Sequence, residues 1–167
     1  ISDYSRYPIV DILNKASIDT KLYSTQAKSG SWNLASSLIF KNANKKIYNT
    51  KYNLGNATYI DKDRPFDHEF LKEFTNEITK QSKKNNFYVF HSYAGHGNYK
   101  ENIPEKYHNN IDQFYTKHNN KAIFGKSFKN NQKEFLENYD SAMKYITDNI
   151  VFSLKKISKL KKPIIFI

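Results

Sequence analysis

The chain contains no cysteine, so neither a disulfide framework nor a thiolate metal site can be built from it. Arginine is almost missing as well. Arg6 and Arg64 stand alone among 27 Lys+Arg, which speaks against readers of nucleic-acid base edges, since these depend on the bidentate guanidinium fork. No apolar run approaches the roughly 18 to 20 residues of a membrane span, and the opening Ile1-Ser2-Asp3-Tyr4 has neither an initiator Met nor signal-peptide character. At the other end, Pro163-Ile164-Ile165-Phe166-Ile167 has the pattern of a buried strand and stops with no turn or cap after it. The expectation is a segment cut from something longer. Glycine-rich nucleotide fingerprints, a Walker loop and a Gly-x-Ser-x-Gly elbow are also lacking, so nucleotide-binding and serine-hydrolase chemistries lose support.

What the chain does have is rings and lysines. Of 167 residues, 38% are hydrophobic, with 13 Tyr and 12 Phe, enough to close a core built on aromatics and to argue against disorder. A domain of this length buries roughly two-thirds of its unfolded surface, and residues 1–167 are expected to form a single domain. The formal charge is +11. It suits a generic anionic partner, such as a lipid headgroup surface or a nucleic-acid backbone, although the Lys and Asn bias of an AT-rich coding sequence accounts for it equally.

The apolar spacing predicts an alternation of strands and helices. Ile9, Ile12, Leu13 and Ala16 recur at helical intervals, with Pro8 suited to a first turn. Thr20 to Thr25 reads as a strand, Gln26 to Ser31 as a polar turn, and Trp32, Leu34, Ala35, Leu38, Ile39 and Phe40 as a helix. That order favours an α/β fold, a mostly parallel sheet with helices on both faces. Residues 41–62 read as loop with one short strand near Ala57–Ile60. Asp67 to Gln81 is a helix on Phe70, Leu71, Phe74 and Ile78, with Asp67 placed to cap it. Phe87 to Phe90 is a strand, and 97–130 an irregular polar stretch with a turn of helix after Pro104. Gln132 to Lys159 is the longest helix, with Phe135, Leu136, Tyr139, Met143, Ile146, Ile150, Leu154 and Ile157 on one side.

Chemistry concentrates where the Phe87–Phe90 strand runs into His91-Ser92-Tyr93-Ala94-Gly95-His96-Gly97-Asn98-Tyr99. The carboxyl ends of strands in open α/β sheets face the ligand crevice, and two imidazoles there can bind a metal, hold a phosphate or move a proton. Equally, one can be a hydrogen-bonded structural histidine and the other a loop residue. Gln26, Lys28 and Ser31 follow a strand in the same way. Asp67-His68-Glu69 resembles a ligand cluster, but an acidic helix start explains it. His108 and His118 read as solvated loop residues, and Asp140 and Asp148 as solvated or bonded to neighbouring loops.

Four segments, in this order, resemble the catalytic domain of the phosphoethanolamine transferases of the alkaline-phosphatase and sulfatase superfamily. Ile9 to Ala16 followed by Tyr23-Ser24-Thr25-Gln26 is similar to the family's "DxLKKAGY…WISNQ". Phe66 to Leu71 is similar to "YDExLL", His91 to Pro104 to "HxxGSHGPxYxxRYP", and Tyr139 to Asp148 to "YDNxxxYTDxxL". The resemblance implies an incomplete alkaline-phosphatase-like fold, the central part of a catalytic domain. The threonine nucleophile and first zinc ligand would lie upstream of Ile1, and the "SDHGE" metal motif after Ile167.

By the same resemblance, His96 matches a histidine that contacts the phosphoethanolamine group or a second zinc, His91 opens the same loop, and Gln26 fits the glutamine of "NQ". Thr25 stands where the family has asparagine, Asn98 where it has proline, and the arginine before Pro104 is missing. The implied activity is transfer of phosphoethanolamine from a phospholipid to a surface glycolipid or glycan through a zinc-assisted phospho-enzyme, by a membrane-anchored, monomeric parent on the periplasmic side of a bacterial inner membrane. His96, His91, Gln26, Thr25 and Lys28 are the expected substrate-binding set, and this segment alone should be inactive. Two alternatives remain: another sulfatase-like phosphoryl or sulfuryl hydrolase or transferase, and a non-catalytic basic module that binds polyanions.

Overall fold

The structure, a computed structural model, describes residues 8–26, 28, 34–48, 66–80, 85–96, 98–108, 132–161 and 163–165. The elements alternate as α1 (Ile9–Lys15), β1 (Asp19–Ser24), α2 (Leu34–Ile39), β2 (Lys45–Tyr48), α3 (Asp67–Thr79) and β3 (Asn86–His91), followed by two 3₁₀ turns and the long helix α4 (Gln132–Ile157). The chain divides into two compact units, one of residues 1–93 and 155–167 and one of residues 94–154.

In the first unit the described strands form one parallel sheet in the order β2-β1-β3. The expected α/β fold is borne out. β1 is central, its Leu22 and Tyr23 are buried, and its side chains alternate between two helical layers. Lys21, Tyr23 and Thr25 meet α3 at Glu77, at Phe74 with Phe70, and at Asp67, so the helix runs back along the strand. The aromatic middle of that contact includes Phe90 of β3, 5.2 Å from Phe74. On the opposite face, Thr20 donates its hydroxyl to Asn14 of α1 at 2.8 Å. Asn44 accepts from the Thr20 amide at 2.9 Å.

Helix α1 ends because Ser17 turns left-handed, with φ 61°. The amides of Ile18 and Ser17 then reach back to the carbonyls of Leu13 and Asn14, the paired closure of a Schellman motif. Its buried residue is Val10, while Ile9 and Ile12, expected inside, are exposed. Pro8 sits at the N-cap rather than in the first turn.

Other elements depart from expectation for identifiable reasons. Lys45–Tyr48 pairs with β1 although two lysines interrupt its alternation; the expected Ala57–Ile60 strand lies outside the described residues. Pro163–Ile165 has no regular structure, and Ile164 and Ile165 are exposed. Along α4 the buried positions are Ser141, Ala142, Tyr145, Ser153 and Ile157. Of the expected stripe, only Ile157 is buried, while Phe135, Tyr139, Ile150 and Leu154 are exposed.

In the second unit, Asn98 is left-handed at φ 65° and opens the 3₁₀ turn Tyr99–Asn102; a second turn, Glu105–Tyr107, follows Pro104. His108, expected to be solvated, donates Nε2–H to the carbonyls of Lys100 at 2.8 Å and Ile103 at 3.3 Å and ties the two turns together. Tyr107 donates to Asp148 at 3.0 Å; burial, with that carboxylate behind it, pushes the phenol up from its ordinary range.

At the amino ends of the strands, Lys21 and Lys45 stand side by side in register. Like charges so placed repel, and Glu77 of α3 offsets this by sitting 3.4 Å from each and 2.9 Å from Lys80. The Lys80 hydrogen bond foremost, opposed by burial and reinforced by Lys45, lowers Glu77 from 4.5 to about 2. A lowered folded-state value means stabilisation that is complete above the unfolded value and lost as pH falls through the folded one. Acid titration of unfolding should therefore show stability falling between pH 4.5 and about 2, and Glu77→Gln should flatten that limb. At the end of α1, Ser17→Gly should raise unfolding stability by roughly 0.5–1 kcal/mol in chemical denaturation, since a left-handed residue with a Cβ carries a penalty of about 1–2 kcal/mol that the extra backbone entropy of glycine partly cancels.

Candidate functional site

A 2-1-3 order means the chain leaves β1 toward one side of the sheet and returns to its other side as β3. The carboxyl ends of β1 and β3 are thus a topological switch point, where diverging crossovers leave a crevice. Two segments far apart in sequence meet there, Ser24-Thr25-Gln26 and His91-Ser92-Tyr93.

Ser24 and His91 are partners in the parallel register, so their side chains share a face. Ser24 Oγ lies 3.2 Å from His91 Nδ1. Gln26, two residues on, returns to the same face and donates Nε2–H to the Ser92 carbonyl at 2.9 Å. That bond fixes which end of the amide is nitrogen, because the reverse orientation would set two acceptors against each other. The same Nε2 is 2.9 Å from His91 Nε2. Since an amide nitrogen only donates, His91 Nε2 accepts, and the ring carries its proton on Nδ1 and presents it to Ser24. Ser24 Oγ in turn donates to the Gln26 carbonyl at 3.3 Å. The network assigns a neutral imidazole in one tautomer.

Thr25 points to the other face, toward α3. Its amide donates to the His91 carbonyl at 3.0 Å, extending the ladder past the strand. Its hydroxyl donates to Asp67 Oδ1 at 2.5 Å and accepts from the Tyr93 amide at 3.0 Å. Ser92 Oγ donates to Asp67 Oδ2. Asp67 is therefore no helix cap: the N-cap is Phe66, which makes no side-chain cap bond, and Asp67 is the first helical residue.

The five expected contact residues separate by exposure. Thr25 and Gln26 are 0% and 5% exposed, His91 is half-buried with both ring nitrogens engaged, and these three converge on one network. Lys28 is exposed, its carbonyl held by Ser37 of α2 at 2.6 Å. His96 is exposed and belongs to the second unit, where Asn102, buried, donates to its carbonyl at 3.3 Å. Ser31 and His118 lie outside the described residues. Asp67, Ser24 and Ser92 were not expected here; the one sequence signal was a hydroxyl residue at the end of β1 and another directly after β3.

A family model described as Sulfatase matches residues 5–167. The chain belongs to the sulfatase family. No curated protein sequence matches it. Among solved structures, this sulfatase-family chain is similar to the C-terminal periplasmic domain of EcEptC from Escherichia coli in complex with Zn, with a TM-score of 0.62 and 18% identity over 89% of this chain and 38% of that one. A second structure of the same domain gives 0.64 and 17%, over 90% and 37%. At such identities the likeness speaks of fold. The chain spans under two-fifths of those chains.

The donor set tests whether a metal fits. Among the described residues no three His, Asp or Glu side chains converge, and the switch-point cluster offers hydroxyls, an amide, an imidazole bonded through both nitrogens and one carboxylate already accepting from Thr25 and Ser92. These residues do not make a zinc site. What they do is fix the geometry of two strand ends.

If Gln26 holds His91 in this way, the imidazole in solution should show a protonated Nδ1 and an unprotonated Nε2 in long-range ¹H–¹⁵N spectra. Gln26→Ala leaves the Ser92 carbonyl and His91 Nε2 short of a donor. It should cost about 1–3 kcal/mol of unfolding free energy, roughly 0.5–1.5 kcal/mol for each of the two hydrogen bonds lost at half-buried acceptors. A loss below roughly 0.5 kcal/mol would show that the amide is not the brace.

Proposed function

We propose that this chain is the central part of a catalytic domain that transfers phosphoethanolamine from a membrane phospholipid to a surface glycolipid or glycan. The observation that carries the reading is the meeting of Tyr23–Gln26 with His91–Tyr93 at the switch point of a sulfatase-family sheet. Both segments belong to the motifs of the resemblance, and Gln26 and His91, 65 positions apart in sequence, stand 2.9 Å apart in space. The similarity to a periplasmic domain supports a reaction on the periplasmic side of an inner membrane in this reading. Among the described residues, no helix is long and apolar enough to cross a membrane.

Within the proposed reaction, the exposed residues touch substrate and the buried ones support them. The His96 imidazole donates to a non-bridging oxygen of the donor phosphate, and the exposed Lys28 ammonium, on the loop that follows β1, adds a cation for an anionic substrate. Fixed donors aimed at developing negative charge lower the barrier to phosphoryl transfer more than mobile water does. His91, Gln26 and Thr25 hold the strand ends from which the loops depart. The surplus of lysine, formal charge +11, draws the domain to an anionic leaflet, where each basic residue near the surface adds about 1 kcal/mol. Zinc, with which the EcEptC domain forms a complex, would supply Lewis-acid stabilisation of the transferring group. Its ligands and the nucleophile are assigned to parts of the parent outside the described residues.

In the intact parent protein, His96→Ala should lower transfer from phosphatidylethanolamine vesicles to a glycolipid acceptor by about a hundredfold, in line with removal of one electrostatic donor, while the unfolding midpoint stays within a degree or two of wild type. Mass spectrometry of the acceptor provides the measure. Unchanged turnover would remove His96 from the site, and phosphate release without any acceptor product would favour a sulfatase-like hydrolase.

A further inference from the structure

Asp67 is the feature that neither the fold nor the substrate contacts require. It is 4% exposed, and placing a carboxylate in the interior is costly unless its oxygens are satisfied. A capping acid would be expected to bond the amides of its own first turn. Here the carboxylate instead receives the hydroxyl of Thr25 at the end of β1 and the hydroxyl of Ser92 just past β3, with the Tyr93 amide 3.4 Å away. Three donors from two strand ends converge on one group at the start of a third element. A hydrophobic residue of similar volume would fill the space and bind neither strand end.

We propose that Asp67 is a positioning residue of the transferase, which sets the backbone at Ser92 and Tyr93, the point from which the chain departs toward His96. The inference rests on the transferase reading for its consequence in turnover, and on geometry alone for the clamp. The clamp has a built-in second fastening. The Tyr93 amide sits 3.0 Å from Thr25 Oγ1, and Asp67 orients that hydroxyl by accepting its proton, leaving its lone pairs to Tyr93. Without Asp67, Thr25 can turn its proton to the His91 carbonyl, 3.3 Å away. The loop start then loses its fixed direction although the strand ladder survives. Displacements on the order of 1 Å suffice to cost about a hundredfold in rate.

The experiment uses the intact protein with phosphatidylethanolamine vesicles as donor, in Asp67→Ala, Asp67→Asn and Ser92→Ala forms, at a temperature where circular dichroism shows each fully folded. Asparagine keeps Oδ1 as acceptor for Thr25 and Tyr93 and turns its amine to Ser92 Oγ. Asp67→Ala should lower kcat/KM by about a hundredfold with the loss mainly in kcat, Asp67→Asn should recover most of it, and Ser92→Ala should fall between. Tyr93 amide exchange should accelerate in Asp67→Ala. Should that variant not fold, Ser92→Ala carries the same two readouts. Wild-type turnover in fully folded Asp67→Ala, or a loss that asparagine does not rescue, would overturn the proposal. If the wild-type protein transfers nothing, the transferase reading fails, and Tyr93 exchange alone decides the clamp: faster exchange at unchanged global stability upholds it, and unchanged exchange refutes it.

Discussion

The parallel pairing of β1 with β3, which sets Ser24 opposite His91, is the constraint from which the site follows. A side chain in a strand alternates faces with a period of two, so a slip of β3 by one residue against β1 would turn His91 toward α3 and Phe90 away from it. The contacts of His91 with Ser24 and Gln26 would then not form. The register is held from both ends. Phe90 of β3 and Tyr23 of β1 share the aromatic layer under Phe70 and Phe74, and burial of rings of this size contributes roughly 1.5–3 kcal/mol each.

Helix α3 is accordingly more than a cover. Its inward face presents a carboxylate, two phenyl rings and another carboxylate, at Asp67, Phe70 with Phe74, and Glu77, against Thr25, Tyr23 and Lys21 of one strand. The two acids do different work. Glu77 is bathed in lysines at the amino ends of the strands, where it cancels the repulsion between Lys21 and Lys45. Asp67 is met by hydroxyls and an amide at the carboxyl ends of β1 and β3. Hydroxyl donors fix a carboxylate by direction rather than by opposite charge, so the bonds that hold Asp67 also orient the strand ends that supply them.

Much of this was legible in the sequence. Phe70, Leu71 and Phe74 at helical spacing foretold α3, the Phe87–Phe90 run foretold β3, and the βα alternation foretold a parallel sheet. The approach of Gln26 to His91 was foreshadowed by their places after strands, though not the tautomer that their contact dictates. Three things escaped. Lys45-Lys46-Ile47-Tyr48 looked like loop because Lys45 is directed to a carboxylate on another element, which no local pattern reveals. The stripe on α4 was read from hydrophobicity, whereas close packing chose the small residues Ser141 and Ala142 beside Tyr145. Asp67 looked like a cap because caps are local, and its true partners are 42 and 25 residues away.

That last misreading bears on how a site should be recognised. Residues that touch substrate have to be reachable, and residues that aim them have to be locked; in this chain the motif positions separate along that line. Gln26 and His91 match the motifs of the resemblance as His96 does, and Thr25 stands beside them in place of the family's asparagine, yet their polar atoms are turned inward and spent on neighbouring protein groups. A histidine whose two nitrogens are bonded to Ser24 and Gln26 has neither a lone pair to spare for a metal nor a second proton for an anion without first breaking that network. His91 is thus best understood as part of the frame. In the proposed reaction the imidazole that meets substrate is His96, while the hydroxyls, the amide and Asp67 hold the ends of β1 and β3.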